Sequence, residues 1–411
     1  MKTKDLIADI VISGAGPAGL TLAALLGRAG FRVVLIDAEK PAPVDYEEKP
    51  SGRTAALLTG SVNILKATGI WSSLQDYATA LQTMRIVDDS QPGLAQVKVE
   101  FRASDIGHTE FGFNVPNAIL KSALLSRLGY TPSVNHLAPA KLKDYIVEKQ
   151  KIIATLDDGR VVIASVIIGT DGRGSVVRSV AGIDAKKHDY EQMAMTCLIE
   201  HTKPHNFTST EFHRPGGPFT LVPMPGNTSS VVWVEKTEDA KKFLAMKKPE
   251  YRQAIQDRSC GLVGTVTLKS NPESWPLMLL SAEKLTADRA ALAAEAAHVL
   301  SPIGAQGLNL SLRDVASLAE TLVDAARLGE DIGSQSVLMR YERRRRADIK
   351  SHIVGIDGLN RIVANDLGFL RDLRRLGLKG LETIPALKSF ITHQGLAPAM
   401  DESRLQSGGM L

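Results

Sequence analysis

The six residues Gly14-Ala15-Gly16-Pro17-Ala18-Gly19 constrain the fold of this chain more than any other stretch. They follow Asp9-Ile10-Val11-Ile12-Ser13, a β-branched run that reads as a buried strand. They open a segment, Pro17 to Arg28, that carries Leu20, Ala23, Ala24 and Gly27 at helical spacing, with the proline suited to a first turn. Gly30 ends the helix, and Arg32-Val33-Val34-Leu35-Ile36-Asp37 reads as a second strand. The result is a βαβ unit. Gly14 permits the tight turn, Gly16 lets backbone approach a pyrophosphate, and Gly19 lets the helix pack close to the strand. The helix start offers free N–H groups and a positive dipole to phosphates. Asp37 closes the second strand, where its carboxylate can accept hydrogen bonds from a ribose diol. A dinucleotide site is predicted, and the turn alone does not separate FAD from NAD.

Two further stretches bear on that choice. Gly169-Thr170-Asp171-Gly172-Arg173-Gly174-Ser175 ends a strand in an aspartate at a tight turn, with Ser175 placed to cap a following helix. Ala296-Ala297-His298-Val299-Leu300-Ser301-Pro302-Ile303-Gly304-Ala305-Gln306-Gly307-Leu308-Asn309-Leu310 is a glycine-punctuated loop that feeds a helix. Such a loop presents backbone N–H groups and a positive helix end to an electron-rich ring.

Composition narrows the class. The 411 residues are 44% hydrophobic and 23% charged, enough apolar material for a real core. Lys plus Arg number 49 against 45 Asp plus Glu, too even a balance for a nucleic-acid surface. Cys197 and Cys260 cannot make a disulfide framework or a four-cysteine zinc site, so no metal is expected and a reducing, cytoplasmic setting is. Asp5 and Asp9 interrupt the apolar residues at the N-terminus, so no signal-peptide core forms, and no apolar run reaches the ~20 residues of a spanning helix.

Along the chain, Asn117 to Leu128 reads as a helix, and Tyr145 to Leu156 and Arg160 to Ile168 as strands around a turn at Asp157-Asp158-Gly159. Residues 190 to 285 read as mostly β, Leu310 to Leu328 as an amphipathic helix, and everything from Val337 as helical to a frayed Ser407-Gly408-Gly409 tail. Arg343-Arg344-Arg345-Arg346 reads as a solvated helix face. His213 and Arg214 read as a solvated loop, His298 as structural, and both cysteines as inert. Leu367, Phe369, Leu370, Leu373, Leu376 and Leu378 interleave with Arg371, Arg374, Arg375 and Lys379. Such a stretch can pack on the protein, dimerise or lie on an anionic bilayer, and packing is favoured.

Taken in this order and spacing, the three motifs resemble those of the class A flavin-dependent aromatic hydroxylases, the para-hydroxybenzoate hydroxylase fold. The ubiquinone-biosynthesis branch looks nearest, through Arg53-Thr54-Ala55-Ala56-Leu57, Gly69-Ile70-Trp71, Val231-Val232-Trp233 and Leu308-Asn309-Leu310 with Arg313-Asp314-Val315. The resemblance implies an α/β fold in which a Rossmann-like FAD-binding domain is interleaved with a mostly antiparallel β substrate domain, plus C-terminal helices. The expected boundaries are 1–75, 111–183 and 286–336 for the FAD-binding domain, 76–110 and 184–285 for the substrate domain, and 337–411 for the helical region. It also implies roles. Gly14, Ala15, Gly16, Pro17, Ala18 and Gly19 would hold the pyrophosphate of a non-covalent FAD, and Asp37 the adenosine ribose. Arg53 and Asn117 would contact the ribityl-pyrophosphate region, and Asp171 and Gly172 would close over the phosphates. Pro302 would lie by the reactive flavin edge, with Gly307, Leu308 and Asn309 against the pyrimidine ring.

One departure stands out. The family has Gly-Asp where this chain has Ala294-Glu295, so Glu295 would serve the ribityl chain with a longer arm. The implied reaction is hydroxylation of an aromatic ring with oxygen and NADPH or NADH, through a flavin hydroperoxide, on a polyprenyl phenol of ubiquinone biosynthesis. No second dinucleotide fold is visible for the nicotinamide cofactor, no side chain qualifies as a general base, and the Trp-x-Trp-x-Ile-Pro motif of flavin halogenases is missing. Three points stay open at this stage: another aromatic or polyketide substrate, a flavin-poor scaffold in a biosynthetic complex, and a homodimer or a peripheral contact with the inner membrane.

Overall fold

Ile10–Ser13, Val33–Ile36 and Val166–Gly169 are buried at every residue, as aliphatic strands must be when both faces of a parallel sheet are covered. In the computed structural model, which describes residues 5–41, 50–89, 97–364 and 402–411, they form the middle of a six-stranded sheet. Its order is Thr286–Ala287, Ala290–Leu292, Val166–Gly169, Ile10–Ser13, Val33–Ile36, Val134–Leu137. All but the first pairing are parallel. The helix Pro17–Arg28 has the range its spacing predicts and buries Leu20, Leu22, Leu25 and Leu26 against this sheet and the helix Gln306–Arg327.

A second sheet has nine strands among the described residues and is mostly antiparallel. Ala185–His201 pairs with Thr228–Lys236 on one side and Glu273–Ala282 on the other. Thr83–Asp88, from far earlier in the chain, joins it in parallel beside Thr208–His213. Alternation sorts the long strand Ala185–His201 into two faces. Met195, Cys197 and Ile199 pack into a core with Trp233 and Tyr251. Gln192 and Thr196, on the opposite face, reach Asn360 and Gly52 instead, so this face looks toward the six-stranded sheet's half of the molecule. The α/β architecture, with its mostly antiparallel sheet and C-terminal helix Gln335–Ala364, is the one expected.

Several local expectations are corrected. Tyr145–Leu156 is not one strand: Leu142–Glu148 turns back on Lys151–Leu156 at Lys149, whose φ is +55°. Arg160–Ile168 breaks at Ser165, where the chain passes from a four-stranded sheet into the parallel one. Residues 190–285 are mostly β as expected, and two helices, Thr237–Leu244 and Lys248–Arg258, are added to cover the Trp233 core. The C-terminal tail is not frayed, because Leu405 is fully buried, its N–H donates to Glu320, and Asn63 donates to the Gln406 carbonyl. The basic leucine-rich stretch 367–379 lies outside the described residues. No helix among the described residues is long and apolar enough to cross a membrane.

Candidate functional site

The glycine turn is built as its sequence demands. Gly14 has φ +101°, and a Cβ there would sit 2.4 Å from the Thr170 carbonyl oxygen. A Cβ on Gly19 would lie 1.9 Å from the Gly14 carbonyl oxygen, so the helix can approach the strand only because residue 19 has no side chain. Gly16 is different, for a Cβ there meets nothing within 4 Å among the described residues. Space is therefore kept open in front of the first helical turn, where N–H groups lack intrahelical partners. A dinucleotide pyrophosphate fits that cradle. Asp37 sits at the strand end as predicted and already accepts hydrogen bonds from the N–H groups of Ala15 (2.5 Å) and Glu39 (2.8 Å). That fixes the carboxylate beside the turn.

Short contacts bring the three motifs together. Thr170 Oγ1 donates to the Gly14 carbonyl at 2.8 Å, which ties the second motif to the first. The Ala293 N–H donates to the Gly169 carbonyl at 2.9 Å, and Arg173 pairs with Glu295 at 3.5 Å, which ties the third motif to the second. Arg178, buried, donates to the carbonyls of Arg173 (2.7 Å) and Ala296 (2.8 Å). Asn309 adds a further strand: it accepts from the Leu58 N–H and donates to the Ala56 carbonyl, binding the start of the Gln306–Arg327 helix to the strand Thr54–Leu58. Gly307, one residue into that helix, again faces open space.

Other expected residues have different surroundings. Asp171 Oδ2 accepts from the N–H groups of Val176 and Val177, so the carboxylate caps the helix Val176–Val180 together with Ser175, while buried Oδ1 has no partner among the described residues. Gly172 has φ +79° and an open surrounding. Arg53 reaches the second sheet, where it pairs with Glu273 at 3.1 Å and lies over the Trp275 ring. Asn117 starts the helix Asn117–Gly129; its N–H donates to the Arg53 carbonyl, and its buried Oδ1 has no partner among the described residues. Pro302 and Leu308 are half-buried at the approach to the Gln306 helix. Glu295 is exposed.

His213 and Arg214 do not form a solvated loop. Both are buried: His213 pairs with Glu211 at 2.8 Å, and Arg214 with Asp89 while lying over the Phe212 ring. The arginine run is likewise only half solvated. Arg343 and Arg346 are exposed, but Arg345 is buried between Asp314 (2.8 Å) and Asp348 (2.6 Å). His298 is structural, its Nε2 being 2.6 Å from Asp314 Oδ2. Burial pushes the Cys197 thiol up to about 12, as an inert cysteine requires.

Sequence reasoning missed Asp314, Arg345 and Arg178. A carboxylate or a guanidinium in a helical run carries no sign of which partner lies across the core. It also missed the backbone of Ala294, where φ is +58°. An L-residue in that region pays about 1 kcal/mol or more. Ala294→Gly is therefore expected to stabilise the protein by about 0.5–1 kcal/mol, the relief being partly offset by unfolded-chain entropy. A denaturant midpoint equal to or below that of the parent chain would contradict this.

The comparisons with known proteins fit this geometry. A family described as "FAD binding domain" matches residues 7–369. The ubiquinone hydroxylase UbiL of Rhodospirillum rubrum is 35% identical over 95% of this chain and 90% of its own length. The 3-demethoxyubiquinol 3-hydroxylase of Escherichia coli is 31% identical over 92% of this chain and 96% of its own. Among solved structures, Pseudomonas aeruginosa PqsL has a TM-score of 0.77 at 22% identity, covering 91% of this chain and 99% of that one. The p-nitrophenol 4-monooxygenase PnpA of Pseudomonas putida has a TM-score of 0.77 at 18% identity, covering 96% and 99%. At those identities the two structures speak for the fold alone.

Proposed function

The chain belongs to the FAD-binding domain family, and from that premise we propose that it is a monooxygenase hydroxylating the aromatic ring of a prenylated phenol on the way to ubiquinone. What carries the reading is the bonding together of three distant turns, at Gly14, Thr170 and Ala293, with Gly16, Gly172 and Gly307 each facing open space. The residues that would hold FAD are Gly14 to Gly19 and Asp37 at its adenosine end, Glu295 at the ribityl chain, and the start of the Gln306 helix at the ring. Asn117 and Arg53 border the same region. The chemistry that FAD supplies when bound is to accept electrons from NADPH or NADH and deliver one oxygen atom of O2 to an electron-rich ring.

The protein's own share is position and field. The N-terminus of the Gln306–Arg327 helix favours negative charge on whatever lies against it. Its first turn is fixed by Asn309, which also donates to the Ala305 carbonyl at 2.8 Å. The sheet face that carries Gln192 and Thr196 also carries Ala194, packed in an apolar cluster with Val234, Leu277 and Trp275. In the proposed reading this apolar face roofs the reacting centre, keeps water from it and suits a greasy substrate. We place the enzyme in the cytoplasm, in peripheral contact with the membrane that holds such a substrate.

The test is product analysis. Cells lacking the protein should accumulate a quinone precursor one ring hydroxyl short, and purified enzyme given that precursor, NADPH and 18O2 should return a product heavier by one labelled oxygen. Normal ubiquinone with no accumulating precursor would overturn the substrate. Liposome flotation checks the membrane contact: unchanged flotation after Arg371, Arg374, Arg375 and Lys379 are replaced by glutamine would reassign it away from the C-terminal stretch.

A further inference from the structure

The Ala294–Glu295 turn holds its left-handed backbone where alanine resists it, so something must impose that conformation. Two charged groups reach it among the described residues: Arg173 pairs with the Glu295 carboxylate at 3.5 Å, and Asp314 takes the backbone of Ala294. Asp314, fully buried on the Gln306–Arg327 helix, accepts the Ala294 N–H on Oδ2 at 3.0 Å. The same oxygen is 2.6 Å from His298 Nε2, and Oδ1 accepts from Arg345 Nε at 2.8 Å. Arg345 is itself held by Asp348, which also takes Arg313 at 3.1 Å. Burial alone would raise the Asp314 carboxyl, but His298 and Arg345 outweigh it and keep it below the usual carboxylate range. On its other side the turn is fixed by the Ala293 N–H on the Gly169 carbonyl.

We propose that Asp314 is the positioning residue of the FAD ribityl contact: clamped by His298 and by Arg345 of the C-terminal helix, it holds Ala294 left-handed and so aims Glu295 at the cofactor. This deepens the function proposed above and rests on it for the identity of the ligand. The inference makes the helix Gln335–Ala364 part of the cofactor site without touching the cofactor. It also gives this chain a means to use alanine where a positive φ favours glycine.

The test is a double-mutant cycle between Asp314→Asn and Ala294→Gly, read by FAD titration and by the denaturant midpoint of the FAD-free protein. Asp314→Asn should weaken FAD binding on the order of tenfold, the loss of one charge-assisted hydrogen bond. Ala294→Gly should recover most of the loss in the Asp314→Asn background and shift the parent's affinity far less than that, because glycine needs no clamp. A general loss of packing would not be rescued at a single backbone position. Equal effects of Ala294→Gly in both backgrounds, or Asp314→Asn binding FAD like the parent, would overturn the proposal. Should Asp314→Asn not fold, His298→Ala frees one side of the carboxylate and must show the same rescue. If the parent protein takes up no FAD at all, the functional reading fails by itself. The clamp is then judged by the FAD-free midpoints alone, where additive effects would reject it and coupled effects would uphold it.

Discussion

Gly19→Ala is expected to yield a protein that is both less stable and free of flavin. Its new methyl would stand 1.9 Å from the Gly14 carbonyl oxygen and 2.6 Å from Thr170 Oγ1. The first of these is backbone and cannot swing away, so the helix Pro17–Arg28 must lift from the strand Ile10–Ser13. Overpacking of this kind costs about 3 kcal/mol. The same displacement carries the free N–H groups of the helix start away from the pyrophosphate, and FAD affinity should fall on the order of a hundredfold or more. Gly16→Ala separates the two effects. Nothing lies within 4 Å of its added carbon, so the FAD-free protein should unfold like the parent. The methyl would nevertheless fill the space reserved for phosphate, and flavin should still be lost. Comparing denaturation midpoints with bound flavin for the two variants checks the argument. A Gly16→Ala protein that keeps its flavin would show that the cradle is not the pyrophosphate site.

The second large effect belongs to the buried charge network. Asp348→Ala removes the carboxylate that takes Arg345 at 2.6 Å, Arg313 at 3.1 Å and His352 at 3.1 Å. Burial pulls the Arg313 guanidinium down to about 10, a sign of how little water reaches it. Left without its partner, such a cation is costly, and breaking a buried pair from one side typically destabilises by about 3–5 kcal/mol. The pH dependence carries a definite sign. Burial would raise the Asp348 carboxyl, yet the His352 hydrogen bond and the charges of Arg345 and Arg313 hold it well below the usual carboxylate range. Its folded value therefore lies below its unfolded value of about 3.9, so the stabilisation is complete above about pH 4 and is lost as pH falls through and below it. Unfolding midpoints measured from pH 7 to pH 3 should fall less steeply for Asp348→Ala than for the parent. Equal acid slopes, or a loss under ~1 kcal/mol at neutral pH, would show that the network contributes little.

The parts of this molecule that were legible in the sequence are those whose cause is local. Gly14 and Gly19 announce the turn because the close backbone approach there admits no side chain, and Pro17 to Arg28 announce the helix through spacing and an N-terminal proline. Ser175 caps the helix Val176–Val180 as its residue type and position suggest. What escaped is set by distant partners. Nothing around Lys149 marks a hairpin, since no glycine or asparagine stands where φ turns positive. Arg345 looks like its exposed neighbours until the core places Asp314 and Asp348 on either side of it. His213 and Arg214 sit beside a glycine-proline turn yet are drawn inward by Glu211 and Asp89. Arg53 matches a cofactor-contact position in sequence, yet it pairs with Glu273 of the other sheet.

A direct test of the whole account is a titration of FAD against the purified chain, followed by flavin fluorescence and by absorbance near ~450 nm. The account predicts saturation at one FAD per chain, with a yellow complex whose flavin is lost in Gly16→Ala. A colourless protein that leaves free flavin fluorescence unchanged throughout the titration would contradict it.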